Sequence, residues 1–324
     1  MGEPQPQKKG SKRRKLVFLL GLLGVGLAAL GGRTYQAERR FAAQSPPPGV
    51  LVPAGGFNLH AIDRGKGGPP VLLIHGNPGS SMDFADTVLD RLAKERRTVA
   101  VDRPGHGWSE RPSVVMTPSQ QAAAVHAAAQ HLKLEKPVVV GFSYGGPVAL
   151  AYAIDHPKEV GALVLIASLG DPDGGHISDP IQKVMPTPVV GPLIAWTVGP
   201  LVAPGKIEAG VTDAFKPDTA PTAVIEKEKR LWSRPRPLLA SAGDWSGLDS
   251  TFHGLAARYK EVRVPVEVLA SKDDPVCSMQ HLEYLKKNLP DANLVVVAGH
   301  GHFVMYAAPD AVVAAIERAV DEAD

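Results

Sequence analysis

The 324-residue chain has one cysteine, Cys277, and its body lacks any long run of charge of one sign. A single cysteine excludes an intramolecular disulfide framework, and a lone cysteine reads as core filling. No CxxC or HExxH spacing offers a metal site, and no cofactor motif is present. The formal charge is +2, but Lys8, Lys9, Lys12, Arg13, Arg14 and Lys15 against Glu3 give the first fifteen residues +5, so the remainder is net −3. A body without a basic stripe has no surface for nucleic-acid phosphates. No internal repeat is evident. With 44% hydrophobic and 21% charged residues, the chain has enough material for one sizeable core and an inserted subdomain.

After the basic tail (1–15) comes an uninterrupted apolar stretch, Leu16 to Leu30. It lies between a signal-peptide core and a full span in length, and Gly31-Gly32 extends it. The Arg33, Arg39, Arg40 cluster is a poor flank for cleavage, so residues 16–32 are expected to be an uncleaved anchor. The basic side stays cytoplasmic by the positive-inside rule and the body is exported, which in a bacterium means the periplasmic face. Cleavage near Ala29-Leu30-Gly31 would instead release a secreted protein. Residues 33–48, ending in Ser45-Pro46-Pro47-Pro48, are expected to be a linker.

From Phe57 onward, short β-branched or apolar runs alternate with longer amphipathic ones, the pattern of a largely parallel sheet covered by helices. Strands are expected at Phe57–Asp63, Val71–His75, Thr98–Asp102, Pro137–Phe142, Ala162–Ala167, Val266–Ala270 and Asn293–Val297. Helices are expected at Asp83–Ala93, Ser119–Leu132, Gly145–Asp155, Met279–Leu289 and Pro309–Val320. About a hundred residues separate the strand ending near Ala167 from the one starting near Val266, far more than a βα connection needs. That interval, rich in proline and in apolar residues such as Ile194 and Trp196, reads as an inserted lid over 171–262. Core segments over 49–170 and 263–324 flank it.

Val138-Val139-Val140-Gly141-Phe142-Ser143-Tyr144-Gly145-Gly146 is a buried strand entering a Gly-x-Ser-x-Gly turn, with Pro147 early in the following helix. Glycines at minus two and plus two let strand and helix pass closely, so Ser143 sits strained and exposed at the tip of the turn. Serine alone is a poor nucleophile and needs a general base with a group that orients it. Two later strands end in suitable turns. The first carries Ser271-Lys272-Asp273-Asp274-Pro275-Val276 and the second His300-Gly301-His302-Phe303. Serine, then acid, then histidine is a known chain order for such a triad. The residues themselves leave Asp273 and Asp274 open.

Four separated motifs resemble the α/β-hydrolase fold, in its capped group related to esterases, C–C bond hydrolases, epoxide hydrolases and haloalkane dehalogenases. His75-Gly76-Asn77-Pro78-Gly79 is similar to that family's oxyanion loop. Asp102-Arg103-Pro104-Gly105-His106-Gly107-Trp108-Ser109 is similar to the loop after the next strand. Gly141–Gly145 corresponds to the nucleophile elbow and Gly301-His302 to the histidine turn. The resemblance covers roughly Gly49 onward and implies a mostly parallel eight-stranded sheet with helices on both faces and an inserted, mainly helical lid. It implies Ser143 as nucleophile, His302 as base and Asp274 as the orienting acid, with Asp171 at the position some members use. It also implies that the N–H groups of Asn77 and Tyr144 form the oxyanion hole, with a cis bond before Pro78 as one way to shape the loop. The side chains of Asn77 and Tyr144 are candidates for substrate contact. Asp102 and His106 are read as holding their turn, Trp108 as lining the pocket or packing, and His300 as a turn residue rather than half of a metal pair.

Serine at position 143 disfavours the dehalogenase and epoxide-hydrolase reactions, which need a carboxylate nucleophile, and leaves acyl chemistry. The expected function is cleavage of a carboxylic ester, a small molecule with an apolar acyl or alcohol part, with no cofactor, metal or nucleic-acid partner. Two alternatives stay open. One is C–C hydrolysis of a diketone-type ring-fission product, whose carboxylate Arg230, Arg234 or Arg236 could bind. The other is a slow-turnover receptor on the same fold.

Overall fold

The computed structural model describes residues 9–175 and 180–323, and side chains from residue 13 onward. Eight strands form one sheet: β1 (Val50–Pro53), β2 (Asn58–Arg64), β3 (Val71–Ile74), β4 (Thr98–Val101), β5 (Val138–Phe142), β6 (Ala162–Ile166), β7 (Val266–Ser271) and β8 (Ala292–Val297). Their spatial order is β1-β2-β4-β3-β5-β6-β7-β8. β2 runs antiparallel to both neighbours, and every pairing from β4 to β8 is parallel.

Every residue of β3 to β7 is buried, which is why β3, β5 and β6 read as unbroken apolar runs, while β7 buries Glu267 against Arg318. Alternation still divides their side chains between two faces. Val71, Leu73, Val138, Val140, Val164 and Ile166 pack on one side with α3 (Leu89–Leu92) and α13 (Pro309–Ala323). On the other side Leu72, Ile74, Val139, Leu163 and Leu165 meet α4 (Pro118–His131), α5 (Gly145–Asp155) and α11 (Met279–Asn288). In α13 the buried set Val312, Ala315, Ile316, Ala319 and Val320 repeats at helical spacing, one stripe on the sheet. Thr117 opens α4 with a reciprocal cap: its side chain accepts from the Gln120 N–H and its own N–H donates to the Gln120 side chain.

Three departures from the sequence reading have local causes. β1 lies outside the expected strands because it is a short edge strand with one buried residue, ending in a proline that only an edge tolerates. The expected helix Asp83–Ala93 is two short ones, α2 (Met82–Ala85) and α3. Between them the Thr87 hydroxyl donates to the Asp83 carbonyl, 2.7 Å away, and its N–H turns to Phe84. The expected linker from residue 33 is mostly helix, since α1 (Lys9–Gln44) continues to Gln44. Residues 33–44 contain neither glycine nor proline, and Phe41 docks the last turns by stacking on Trp108, 6.1 Å away, beneath the Arg234 guanidinium. By length and composition α1 is apolar enough to cross a membrane.

Between β6 and β7 the chain forms α6 (Pro180–Val184), α7 (Val190–Trp196), α8 (Gly199–Phe215), α9 (Thr222–Trp232) and α10 (Pro235–Ala256). Prolines punctuate this insertion, at the starts of α8 and α10 and just before α9. α10 crosses the loop after β4 at backbone contact, where a Cβ on Gly243 would come within 1.8 Å of the Val114 carbonyl. α9 is held by charge. Lys227 lies 3.0 Å from Asp86 and 3.5 Å from Asp83, and it donates to the hydroxyl of Tyr306 in α12 (Val304–Ala307).

Glu228 is fully buried, and burial together with neighbouring Asp83 pushes its carboxyl well above the usual carboxylate range. The folded chain therefore keeps a proton that unfolded glutamate releases above about pH 4.3, and this site loses stability as pH rises from there towards the raised value. Glu228→Gln mimics the protonated carboxyl. Its melting temperature relative to wild type should improve steadily from about pH 5 to about pH 8. A difference that stays flat with pH in thermal melts means Glu228 is ionised in the fold.

Candidate active site

β5 delivers its last residue, Phe142, straight into a turn where Ser143 has φ of +53°, a left-handed conformation on a residue that is not glycine. The backbone is pinned on both sides: the Ser143 N–H donates to Ile166, and its carbonyl accepts from Gly146. The flanking glycines are required by space. A Cβ at Gly141 would lie 2.5 Å from the Gly145 carbonyl, and one at Gly145 would lie 2.2 Å from that of Ile74. Ser143 is 6% exposed, at the bottom of a cavity rather than on open surface.

The parallel pairing of β7 with β8 brings the two following turns together. His302 Nδ1 lies 2.8 Å from Asp274 Oδ2, and both side chains are buried. The other Asp274 oxygen accepts from the N–H groups of Val276 and Cys277 at 2.7 and 2.9 Å. A carboxylate held by two backbone donors leaves one oxygen for the imidazole and keeps its Nδ1 protonated, so Nε2 is free to take a proton. Asp273 points elsewhere. It is exposed and accepts from the Gly299 N–H. Asp171 accepts from Gln280 and the Asp173 N–H, and His300 faces Asp218.

Asn77 and Tyr144 flank the serine from two elements. The Asn77–Pro78 bond is cis, and among the described residues no protein acceptor takes the backbone N–H of Asn77 or Tyr144. Their side chains differ. Asn77 lines the cavity while donating to the Ser241 carbonyl of α10 at 3.0 Å. The Tyr144 side chain is wholly buried and turned away, donating to the Asp244 carbonyl at 2.8 Å, so the expected substrate contact by this ring is not what the structure has. Trp108 packs on Phe41 and His60 and donates to Ser45, and it does not line the cavity.

The expected structural roles of Asp102 and His106 take definite form. Burial alone would raise Asp102, but the hydrogen bond from His60 and the charge near it bring its carboxyl down to about 2. It also accepts from the N–H groups of Ser81 and Trp108. Burial and the Arg103 guanidinium lower His106 to about 4, leaving a neutral ring that donates to Asp244 at 2.9 Å.

Asp244 and Arg103 were not singled out in the sequence reading. Asp244 is fully buried in α10 and accepts from Arg103 at 2.6 Å, Gln121 at 2.9 Å and Arg111 at 2.8 Å. Burial opposes its ionisation, and the two guanidiniums overcome it, holding the carboxyl far below its ordinary range. Arg103 donates further to the carbonyls of His75 and Gly76 in the loop before Asn77, and its guanidinium lies 4.6 Å above the Tyr144 ring. One visible sign was a carboxylate among Ala240, Ala242, Gly243 and Gly247 in an otherwise apolar helix stripe.

The cavity holding Ser143 and His302 has a volume of about 360 Å³. Apolar residues of the insertion, among them Ile194, Val202, Ile207 and Leu238, close over it from above, with Phe142 and Val276 below. Among the described residues Lys206 is the one Lys, Arg, Asp or Glu on its wall. Arg230 and Arg236 are exposed and Arg234 sits on Phe41, so none of these arginines meets it. Among the described residues two groups have metal-ligand spacing. Asp274, Cys277 and His302 place ligand atoms within 4.8 Å of one another, but the Asp274 oxygens and His302 Nδ1 already bond within the protein, and burial pushes the Cys277 thiol well up. His126, His156 and Glu159 form the other, where the two rings stack at 3.6 Å and 11°, so their in-plane lone pairs do not converge.

A family model described as the alpha/beta hydrolase family matches residues 71–315. The 2-hydroxymuconate semialdehyde hydrolase of Pseudomonas putida is 30% identical, over 87% of this chain and 97% of its own length. Among solved structures, an alpha/beta hydrolase fold protein from Burkholderia ambifaria superposes with a TM-score of 0.71 at 21% identity, over 82% of this chain and 96% of that one. A thermophilic esterase from Thermogutta terrifontis gives 0.64 at 23% identity, over 85% and 98%.

Two predictions follow from this geometry. Asp274→Asn should lower kcat by about three to four orders of magnitude, because an amide cannot hold the tautomer, whereas Asp273→Asn should stay within about threefold of wild type. Similar losses in both variants, read by steady-state kinetics, would reject the assignment. Asp244→Ala strands Arg103 and Arg111 without their buried partner and should cost about 3–5 kcal/mol in urea unfolding.

Proposed function

This chain belongs to the alpha/beta hydrolase family, and from that premise we propose that it is a serine hydrolase of carboxylic esters with an apolar acyl or alcohol part. The observation that carries the reading is the strained Ser143 sharing one apolar cavity with a histidine whose Nδ1 is held by a buried carboxylate. In this reading Ser143 Oγ attacks the ester carbonyl carbon while His302 Nε2 takes its proton. The carbonyl oxygen gains the negative charge and is met by the N–H groups of Asn77 and Tyr144, each worth about 3 kcal/mol to the transition state. The C–O bond to the alcohol then breaks, and His302 returns the proton to the departing oxygen. Water, deprotonated by the same nitrogen, attacks the acyl carbon; the bond to Ser143 Oγ then breaks, that oxygen takes the proton back from His302, and the acid leaves. Asp274 stabilises the imidazolium formed in both halves without itself taking the proton. The helix α1 is the proposed membrane anchor, with the body exported.

A second reading is C–C hydrolysis of a ring-fission diketone, favoured by the relative from Pseudomonas putida that is similar over nearly its whole length. Such a substrate carries a carboxylate, and among the described residues the cavity wall has Lys206 and no arginine. The same triad would serve, so the substrates discriminate.

The test is hydrolysis of p-nitrophenyl esters of increasing acyl length by the full chain in detergent, beside Ser143→Ala. Turnover should rise from acetate to medium-chain esters and fall by about four orders of magnitude or more in the variant. Efficient turnover of a ring-fission diketone with negligible ester turnover would move C–C hydrolysis ahead. Ligand-induced stabilisation without repeated turnover would mark a receptor.

A further inference from the structure

We propose that the exposed apolar face of α6, α7 and α8 docks on the lipid bilayer that α1 enters, and that apolar substrate passes from the acyl chains through this face to Ser143. The docking is independent of the bond cleaved, while the substrate route rests on the serine-hydrolase reading above.

The geometry begins with the reach of α1. Its apolar stretch from Leu16 to Gly32 is about 25 Å long at helical rise, against a hydrocarbon core of about 30 Å. None of it is spare. Yet its upper end is already engaged: Leu27, Leu30, Gly31 and Thr34 form a half-buried or buried stripe at helical spacing, turned towards the body. α1 packs on α7 there, with Gly31 against the Trp196 carbonyl. A bilayer that takes in residues 16–32 therefore has its boundary at the level of α7. Arg33, Arg39 and Arg40, all exposed on α1, lie just beyond that level, where basic side chains reach lipid phosphates.

The surface at that level is suited to lipid. Residues 184–205 contain no Asp, Glu, Lys, Arg or His. Val189 is 78% exposed, Leu201 55% and Leu193 47%, and Trp196 is exposed beside them. A contiguous apolar face of this kind on a protein surface marks a contact, and here its neighbour is a helix of membrane-crossing length and hydropathy. The face is also joined to the active site. Ile181 and Val202 are exposed on it and line the same cavity as Ser143. In this proposal an ester dissolved in the bilayer enters the cavity past Ile181 and Val202.

The full chain, reconstituted in vesicles of phosphatidylcholine and phosphatidylglycerol with brominated acyl chains, tests the docking through tryptophan fluorescence. Bromolipid should quench a component that disappears in Trp196→Phe. Absence of that component overturns the proposal, and disulfide crosslinking between copies of Leu193→Cys would then identify a second copy of the chain as the occupant. Kinetics test the route. The double variant Leu193→Asp/Leu201→Asp, whose changed residues lie off the cavity wall, should hydrolyse a water-soluble short-chain ester within about twofold of wild type but lose about tenfold or more on a long-chain ester held in vesicles. Equal turnover of the vesicle ester by both proteins rejects the route. Failure of Ser143→Ala to abolish turnover rejects the hydrolase reading and leaves the quenching result standing on its own.

Discussion

A fully buried carboxylate in the insertion, Asp244, has to be neutralised, and the way it is neutralised organises the structure around the cavity. Its partners come from the loop after β4, from α4 and from Arg111 further along the same loop, while its own carbonyl takes the Tyr144 hydroxyl. Arg103 also donates to the Gln121 side chain and to the backbone carbonyls of His75 and Gly76. One network thus ties the roof of the cavity, the residue after the serine and the loop that presents Asn77. Such a group is costly to leave half-satisfied, so the pieces it joins move together or not at all. The conformation of two backbone N–H groups beside Ser143 then depends on a side chain a hundred residues away.

Around that frame the site divides its polar and apolar duties. Polar groups at the bottom are few, and each is held by a partner chosen for it: Asp274 by two backbone N–H groups, His302 by Asp274, Ser143 by the strain of its turn. The walls are nearly all apolar and supplied by the insertion. Apolar walls beside these groups lower the local dielectric, which strengthens the electrostatic interactions among them. The same apolar character carries outward to α6–α8 and α1, where it becomes a surface rather than a wall. Burial in protein and contact with lipid are alternative ways of removing such side chains from water, and within this one short segment some apolar side chains are buried and others exposed.

Much of this was legible in the sequence wherever the determining contacts are local or periodic. Strands buried on both faces favour apolar residues on both, so β3, β5 and β6 are visible as runs. A strained serine between a strand and a helix needs its two glycines, so the turn at Ser143 is visible as spacing. β1 was missed because an exposed edge strand of four residues carries almost no pattern, and α1 was cut short because hydropathy ends at Gly32 while helix-forming residues continue to Gln44. Asp273 and Asp274 are adjacent in one acidic turn, and nothing in their immediate surroundings separates them. The register of β7 against β8 does so, bringing Asp274 to His302 while Asp273 faces Gly299.

By itself, then, the sequence determined the strands other than β1, the strained turn at Ser143 and the apolar helix at the N-terminus, since each follows from backbone sterics and solvent transfer acting over a few neighbouring residues. The tertiary structure alone decided which aspartate meets His302, that Tyr144 turns its side chain away from the cavity, that Arg103 and Asp244 meet across 141 positions, and that α7 lies against α1. These are distances between residues far apart in the chain, set by how buried charges and apolar faces are matched once the elements pack, and no local pattern carries them.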